Sequence, residues 1–516
     1  MIVTDAAILA LDTHWAVSAL PAATRAWAFD AAKMRLVRQT LGELLAVNID
    51  ETADAESTLE RVAMAYELAA IEGLDALLHP SDESESKGLQ AQAMAGAFRS
   101  FDLRQSCLVP EQDEARVFHV LHLAALGFCG DRWPDVRRWI KDHAAATEAP
   151  SVAQASWDKR VLFRLFNCWV RLFRKCNWDD VDRVRETVAG LREDQKTFEK
   201  DALESTDGLA AQSVAYRLIS LYHWAKATEV LAVYTLQGEP ANVRSELDQH
   251  FEKARTHAAR SGDAPFEVLL HWLHLAAARM VAGSIWWVSQ AVNSRVTRFV
   301  RSVTKTRGLF DLLPPQRAAI QEQGLLDQAS RAVVVDLPTS GGKTALAQFR
   351  ILQALNQFSE ENGWVAYLAP TRALVAQITR RLRQDFSPLQ IRVEQLSGAI
   401  EIDGFEEAFL TDTSSNAPFH VLISTPEKLN LVIRNKKVSR PLALVVMDEA
   451  HNIEDEERGL RIELLLATIK RDCLQANFLL LMPFVPNARD LATLARCLRT
   501  NEWPSYQPEP MKIGII

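Results

Sequence analysis

The sequence has few cysteines and no long uncharged apolar segment. Its six cysteines are scattered over 516 residues without a CxxC pair, so neither a zinc cluster nor a disulfide framework is expected. Such thiols are typical of a reducing compartment. The most apolar uncharged window, residues 280–294, is shorter than the roughly 20 residues that a membrane-spanning helix needs. No secretory signal is evident at the amino terminus. We therefore expect a cytoplasmic protein without a membrane partner.

The chain also lacks an excess of positive charge. It has 58 Lys and Arg against 66 Asp and Glu, a formal net charge of −8. Net charge therefore cannot attract a nucleic-acid backbone, and any such binding must be local. Two basic runs are each either a solvated face or a nucleic-acid contact. They consist of Arg295, Arg298, Arg301, Lys305 and Arg307, and of Arg434, Lys436, Lys437 and Arg440.

Helical periodicity is abundant in the first 300 residues. Apolar residues at three- and four-residue spacing predict helices over much of this region, separated by short polar or Pro/Gly breaks. A mobile loop is expected at residues 82–87. Because no fixed repeat length emerges, we predict an all-α solenoid or bundle for residues 1–300.

Residues 301–516 alternate between short apolar runs and stretches long enough for helices. This alternation predicts a parallel sheet covered by helices on both faces. Ligand sites in such sheets gather at the carboxyl ends of the strands. The expected strands are residues 332–335, 365–368, 391–396, 421–423, 442–447 and 478–481.

A glycine-containing segment, residues 338–344 (PTSGGKT), follows the first of these runs. Backbone amides of such a loop close around phosphate oxygens, its lysine reaches the β- and γ-phosphates, and its threonine hydroxyl can ligate Mg²⁺. The strict pattern fails at Leu337, where glycine is expected. The residues expected to bind ATP here are Thr339, Ser340, Gly341, Gly342, Lys343 and Thr344.

An acidic segment, Asp448-Glu449-Ala450-His451, follows the apolar run at residues 442–447. Asp448 would hold Mg²⁺ together with Thr344, and Glu449 would orient or deprotonate the attacking water. With Lys343 these side chains form the expected catalytic set of an ATP hydrolase.

The motifs and their order resemble the first motor lobe of a superkiller-like superfamily 2 DEAD/DEAH-box helicase. The resemblance covers roughly residues 309–516 and implies a RecA-like α/β fold. Residues 312–320 (LLPPQRAAI) look like the family's adenine-recognising segment, with Gln316 at the base edge. Residues 452–463 (NIEDEERGLRIE) are similar to the Arg-Gly and following Glu of the superkiller-like branch. The family also implies that His451 relays the nucleotide state toward the strand-binding side.

Two further segments resemble the family's motifs Ia and Ib, residues 369–377 (APTRALVAQ) and 423–429 (ISTPEKL). In relatives both contact the backbone of the tracked strand, which implies single-stranded DNA or RNA as a partner. For Thr371, Arg372 and Thr425 the alternative is ordinary turn and helix-cap duty. The implied contact residues are Pro370, Thr371, Arg372, Thr425, Pro426 and Glu427.

The sequence departs from the family in two places. Met482-Pro483-Phe484 stands where the family has Ser-Ala-Thr, whose hydroxyls help to connect the nucleotide to the strand-binding face. The chain stops at Ile516, about where a linker into the second motor lobe would begin. Either the sequence is truncated or split, or a partner supplies the second lobe, and alone it should bind nucleotide but turn it over poorly.

The sequence thus predicts an ATP-dependent nucleic-acid helicase or translocase that needs a second lobe for full hydrolysis. A non-enzymatic nucleotide-sensing scaffold subunit is the alternative, favoured by residues 482–484 and the missing lobe. The long helical amino-terminal region looks broadly like that of bacterial phage-defence helicases, which implies a role in antiviral defence.

Overall fold

The computed structural model divides the chain into two compact units. One contains Met1–Ser284 and Arg307–Asp311, and the other contains Ile285–Thr306 and Leu312–Ile516. The predicted boundary after residue 300 lies inside the helix Ser294–Arg307. The structure describes residues 5–41, 52–79, 81, 83–152, 155–204, 209–289, 293–338, 341–396, 419–435, 438–454 and 458–483.

The regular elements of the first unit are α-helices throughout its described part, as the periodicity predicted. Helices that are close in sequence pack on one another, and the helix Leu209–Gln237 packs on both Trp178–Glu204 and Val243–Ser261. None of the helices in the described ranges combines the length and apolar character needed to cross a bilayer. The helices are α1 (Asp5–Leu11), α2 (Trp15–Ser18), α3 (Ala22–Leu41), α4 (Ala53–Ile71), α5 (Leu74–Leu78), α6 (Ser84–Arg104), α7 (Asp113–Cys129), α8 (Trp133–Asp142), α9 (Ala144–Thr147), α10 (Trp157–Arg174), α11 (Trp178–Glu204), α12 (Leu209–Gln237), α13 (Val243–Ser261) and α14 (Ala264–Gly283).

Large aromatic side chains fill the core of this unit. Trp169, Trp224 and Trp272 are fully buried, and the Trp169 indole nitrogen donates to the Thr228 hydroxyl at 2.9 Å. The indole N–H therefore has a partner despite its burial, as buried tryptophans usually require.

One predicted loop is shorter than expected. The sequence predicted a loop over residues 82–87, but α6 begins at Ser84. Its first turn carries Glu85 and contains neither glycine nor proline, and a carboxylate there interacts favourably with the helix dipole. Residues 84–87 are therefore helical, and the prediction for them was wrong.

The second unit contains one six-stranded sheet and its covering helices. Every strand pair is parallel, and the strand order is β1-β6-β5-β2-β4-β3. The strands are β1 (Ala332–Asp336), β2 (Trp364–Leu368), β3 (Val393–Gln395), β4 (Val421–Ser424), β5 (Leu442–Met447) and β6 (Asn477–Met482). The helices are α15 (Ile285–Ser289), α16 (Ser294–Arg307), α17 (Pro314–Gln321), α18 (Lys343–Gln357), α19 (Arg372–Phe386), α20 (Pro426–Arg434) and α21 (Arg458–Asp472).

The sheet confirms the predicted fold class, a parallel α/β sheet preceded by a large helical region. β2, β4, β5 and β6 are buried at every position, which explains their continuous apolar sequences. Because all strands run in one direction, the loops after β1, β2, β4 and β5 leave the same edge of the sheet. Every predicted motif except the glutamine segment lies at this edge.

Candidate functional site

The loop after β1 has the backbone form of an anion-binding turn. Gly341 N–H donates to the Pro338 carbonyl oxygen at 2.8 Å, and Gly342 adopts φ +71° as the residue before α18. This positive φ is the reason for glycine at this position. The amino end of α18 presents backbone N–H groups that favour a negative ligand. Thr339 and Ser340, which were predicted to bind the same ligand, lie outside the described residues.

The lysine at the start of α18 is buried beside this loop. Lys343 is 7% exposed, and among the described residues its recorded hydrogen bond runs from Nζ to the Leu337 carbonyl oxygen at 3.4 Å. Asp336, at the end of β1, is 3% exposed. Burial raises the pKa of Asp336, and the charge of Lys343 opposes that rise. The loop thus brings a buried cation to the amino end of α18, which suits phosphate oxygens.

Gln316 contacts the phosphate loop. Its side-chain oxygen accepts from Leu313 N–H at 3.0 Å, while Nε2 donates to the carbonyl oxygens of Gly341 and Gly342 at 3.3 and 3.1 Å. A Cβ on Gly342 would lie 2.2 Å from Nε2. The glutamine therefore supports the loop, and the predicted adenine contact would require one of these bonds to be exchanged.

The acidic segment begins directly after β5. Asp448 N–H donates to the Leu368 carbonyl oxygen at 2.9 Å, which ties the segment to β2. The Asp448 carboxylate accepts from Glu449 N–H at 3.0 Å and from the Tyr367 hydroxyl at 3.1 Å. Burial raises the pKa of Asp448, against the effects of the Tyr367 hydrogen bond and the Lys343 charge. Asp448 and Lys343 follow strands that both pair with β6, so their loops leave the same edge of the sheet.

Tyr367 was not predicted as a functional residue. It is fully buried in β2, and burial raises its pKa well above the ordinary value, with the Asp448 charge acting in the same direction. The phenol thus remains a donor at neutral pH. The sequence did contain a signal for it, because Tyr367 places a hydroxyl near the carboxyl end of a buried apolar strand.

Glu449 adopts an uncommon backbone conformation for a residue with a side chain. Its φ is +52°, and its carbonyl oxygen accepts from both the backbone N–H and the side-chain amide of Asn452, at 3.0 and 2.8 Å. These bonds offset a strain on the order of 1–3 kcal/mol. Glu449 Oε2 lies 3.4 Å from His451 Nδ1. The turn therefore brings together both side chains predicted after Asp448.

The segments after β2 and β4 both begin helices with a threonine. The Thr371 hydroxyl accepts from Leu374 N–H at 3.3 Å and caps α19, which is the helix-cap alternative considered above. The Thr425 hydroxyl does not cap α20, and its interaction with Glu427 lowers the pKa of that carboxyl. Arg372 is exposed, Pro370 is partly buried and Pro426 is buried. These groups share one edge of the sheet, and the capping hydroxyl of Thr371 still has a proton to donate.

Arg458, the arginine of the Arg-Gly pair that the sequence analysis noted, also contacts this pair of segments, although the sequence assigned it no role there. Its Nη2 donates to the Pro370 carbonyl oxygen, and its Nε lies 3.3 Å from Glu427 Oε1. Both partners are distant in sequence, and only the sheet brings them together.

The oxygen donors at this edge fit a hard divalent cation. A carboxylate and a hydroxyl, from Asp448 and Thr344, are ligand types that Mg²⁺ accepts while retaining waters and phosphate oxygens. In the part of the chain that the structure describes, no three His, Cys, Asp or Glu side chains form a metal cage. Any Mg²⁺ here would thus depend on the phosphates for several ligands.

Of the two basic runs, the first lies on α16. The helix buries Val296, Phe299, Val300, Val303 and Thr304, and Arg298, Arg301 and Lys305 are exposed. This amphipathic arrangement agrees with a solvated face. In the second run, Lys436 and Lys437 lie outside the described residues.

In comparisons with known proteins, a family model matches the part of the chain that carries the motifs. The model of the DEAD/DEAH box helicase family matches residues 314–482. The ATP-dependent DNA helicase Hel308 of Methanocella arvoryzae is 30% identical over 213 residues, which are 40% of this chain and 26% of that protein. The ATP-dependent DNA helicase MER3 of Saccharomyces cerevisiae is 26% identical over 205 residues, 39% of this chain and 16% of that protein.

The chain spans only part of each of these relatives. Its share of their length runs from 16% to 28% in six similar helicases. Among solved structures, the DUF1998 helicase MrfA bound to DNA and AMPPNP is similar at a TM-score of 0.33 and 20% identity, over 40% of this chain and 28% of that one.

Proposed function

We propose that the chain is the amino-terminal part of an ATP-dependent helicase or translocase that acts on single-stranded nucleic acid, because residues 314–482 match the model of the DEAD/DEAH box helicase family. Residues 301–516 would be its first motor lobe and residues 1–300 its helical domain. Further helicase segments, on the same polypeptide or on a partner, would complete hydrolysis. The relatives that are named as DNA helicases favour DNA over RNA as the strand.

The phosphate site is proposed to hold ATP through charge and backbone amides. Lys343 and the amides of Gly342 and Lys343 would hold the phosphates, and the amide of Gly341 would join them by exchanging its bond to Pro338. Thr339 and Ser340 would complete the loop. When bound through Thr344 and Asp448, Mg²⁺ would neutralise charge on the β- and γ-phosphate oxygens. Gln316 would stabilise the loop through its hydrogen bonds to the carbonyl oxygens of Gly341 and Gly342.

The acidic turn is proposed to prepare water for attack. Glu449 would accept a proton from the attacking water or orient it. The left-handed backbone of Glu449 directs the chain so that its carboxylate and the His451 imidazole lie together. His451 would then respond to the state of the nucleotide, as its place in the family implies.

Strand binding is assigned to the neighbouring segments at the same edge. Arg372 would contact phosphates directly, and Thr371 would donate its hydroxyl hydrogen. Thr425 would donate its own by giving up its interaction with Glu427, and Pro370, Pro426 and Glu427 would shape the surface. Such contacts grip a backbone without reading sequence. The observation that carries the proposal is that β1 and β5, which lead into the loops of Lys343 and Asp448, both flank β6 in the parallel sheet and end at the same edge.

Nucleotide binding by point variants tests the phosphate site. Lys343→Ala should weaken the affinity for a fluorescent ATP analogue with Mg²⁺ by at least about tenfold, because a buried charge-assisted contact is lost. Lys305→Ala removes an exposed lysine of α16 and should leave the affinity unchanged. Equal affinities in the two variants would refute the assignment of the site.

Hydrolysis by the complete motor tests the acidic turn. Glu449→Gln should bind the analogue like wild type and abolish turnover, since the amide cannot accept the water proton. Glu361→Gln, at an exposed position, serves as the control. Retained turnover in Glu449→Gln would exclude the proposed role. Normal nucleotide binding with a turnover that neither DNA nor RNA changes would favour the scaffold alternative. The absence of hydroxyls at Met482 and Pro483 supports that alternative.

A further inference from the structure

One guanidinium group spans the two segments that are proposed to hold the strand. Arg458 is the first residue of α21. Its Nη2 donates to the carbonyl oxygen of Pro370, after β2, and its Nε donates to Glu427 at 3.3 Å, in the first turn of α20 after β4. Arg458 thus adds a side-chain link to the backbone pairing of β2 and β4, which continues to the bond from Ala369 N–H to the Ser424 carbonyl oxygen at 3.1 Å.

The chemistry of this contact requires an arginine. A guanidinium has five donors in a rigid plane and can serve two acceptors in fixed directions, whereas a lysine ammonium is a single point of charge. The Arg458 and Glu427 side chains are 35% and 41% exposed, so their ion pair alone contributes little to stability. The contact matters for geometry, because it fixes the distance between the Pro370 carbonyl group and the Glu427 carboxylate.

Glu427 extends the contact to the strand-binding hydroxyl. Burial acts to raise its pKa, but hydrogen bonds from its own backbone and from Thr425, together with Arg458, hold the pKa of Glu427 below its usual value. The carboxylate is therefore charged at neutral pH and accepts from both Thr425 and Arg458. The orientation of the Thr425 hydroxyl thus follows the position of Arg458.

The residue next to Arg458 is packed against the turn that contains His451. At the next residue, Gly459, a Cβ would lie 1.8 Å from the Ile453 carbonyl oxygen. Ile453 belongs to the 3-10 helix Ala450–Glu454, which contains His451. A shift of this short helix would therefore move the backbone that carries Arg458.

We propose that Arg458 is a positioning residue that transmits the placement of the acidic segment to both strand-binding segments. The inference rests on the proposed function. It gives this chain a connection that does not use the family's Ser-Ala-Thr hydroxyls, for which Met482-Pro483-Phe484 has no counterpart.

The test uses the full chain, fluorescein-labelled dT20 and U20, and AMPPNP with Mg²⁺. Arg458→Met keeps an unbranched stem and removes both donors, Arg458→Lys keeps only the charge, and Arg461→Met removes an exposed arginine from the same helix. Arg458→Met should weaken strand affinity about tenfold, as expected for loss of a charge-assisted contact. It should leave AMPPNP affinity within about twofold of wild type.

Hydrogen exchange distinguishes positioning from general loss of structure. In Arg458→Met, amides of residues 371–376 and 426–431 should exchange faster, while those of β1 and α18 stay protected. Arg458→Lys should restore neither strand affinity nor protection, and Arg461→Met should match wild type in both. Wild-type affinity and wild-type exchange in Arg458→Met would overturn this inference alone. Failure of the wild-type chain to bind either strand would overturn the proposed function and this inference together.

Discussion

Single side chains at the sheet edge are held by partners far away in sequence. Tyr367 and Asp448 are 81 residues apart, yet the phenol donates to the carboxylate at 3.1 Å because β2 and β5 are neighbours. Glu449 N–H donates to the other carboxylate oxygen. Two fixed donors thus set the plane of the Asp448 carboxylate, and orientation of this kind is typical of groups around metal ligands.

Removal of the Tyr367 hydroxyl should therefore raise the Mg²⁺ concentration that nucleotide binding needs. Tyr367→Phe leaves a buried carboxylate with one fewer donor, a loss of roughly 1–3 kcal/mol, or about tenfold in the Mg²⁺ concentration needed for half-maximal binding. Titration of Mg²⁺ against a fluorescent ATP analogue measures the shift, and binding without Mg²⁺ should stay at the wild-type level.

Tyr234→Phe is the matched control for this prediction. Tyr234 is also buried, and its hydroxyl has no recorded partner among the described residues. Loss of that hydroxyl should not change the Mg²⁺ titration. Identical titration curves for Tyr367→Phe and wild type would mean that the phenol does not orient Asp448.

Local site patterns could be predicted from the sequence, whereas contacts between separate strands could not. The spacing of Gly341, Gly342 and Lys343 is local, and so is that of Asp448 and Glu449, so each pattern carries its own chemistry. Tyr367 and Arg458 gain their roles only when separate strands meet in the sheet. The support that Gln316 gives to the phosphate loop was missed for the same reason, since 26 residues separate Gln316 from Gly342.

At the scale of elements, the order of strands and helices was predictable because burial leaves a clear signal. The six strands fall where the apolar runs predicted them, with ends shifted by one or two residues. The exact contact between two elements was not predictable. The meeting of the 3-10 helix Ala450–Glu454 with α21 depends on one glycine, which sequence periodicity does not single out.

Gly459→Ala should destabilise the second unit although alanine is the better helix former. The new Cβ would lie 1.8 Å from the Ile453 carbonyl oxygen, a backbone atom that a side-chain rotation cannot relieve. Overpacking of this kind costs about 1–3 kcal/mol, more than the roughly 1 kcal/mol gained in helix propensity. Thermal unfolding measures this effect. The unfolding transition of the second unit, identified by its shift when nucleotide is added, should move to lower temperature in Gly459→Ala.

A second glycine variant separates the clash from the change of residue type. Gly190 lies in α11, and a Cβ there would meet nothing within 4 Å. Gly190→Ala should therefore raise stability by about 0.5–1 kcal/mol. Stabilisation by both substitutions would show that the approach of Ile453 to Gly459 does not constrain the fold.

At the scale of the whole molecule, the first unit includes a segment that is distant in sequence. Arg307–Asp311 groups with Met1–Ser284, and Asp311 pairs with Ser284 in an isolated antiparallel bridge. The buried Asp311 carboxylate receives Lys175 Nζ at 2.9 Å and also binds Arg137. Lys175 and Asp311 are 136 residues apart. No local pattern could predict this pairing, so the sequence-based boundary took no account of the segment.

Asp311→Asn should destabilise the first unit strongly and change how its stability depends on pH. The substitution leaves Lys175 buried without its countercharge, which costs about 3–5 kcal/mol. Burial acts to raise the pKa of Asp311, but Lys175 and Arg137 hold it below its ordinary value. The stabilisation is therefore complete above the pKa of the unfolded state, about 3.9, and is lost as the pH falls through the lower folded-state pKa.

Urea unfolding between pH 3 and pH 7, followed by tryptophan fluorescence, tests this expectation. The difference between wild type and Asp311→Asn should be largest near neutral pH and should shrink toward acid, because protonation removes the same charge from wild type. Asp182→Asn, which breaks the exposed pair with Arg185 at 3.0 Å, should cost less than about 1 kcal/mol. A similar small cost for Asp311→Asn, independent of pH, would mean that the buried pair does not hold the segment Arg307–Asp311 in the first unit.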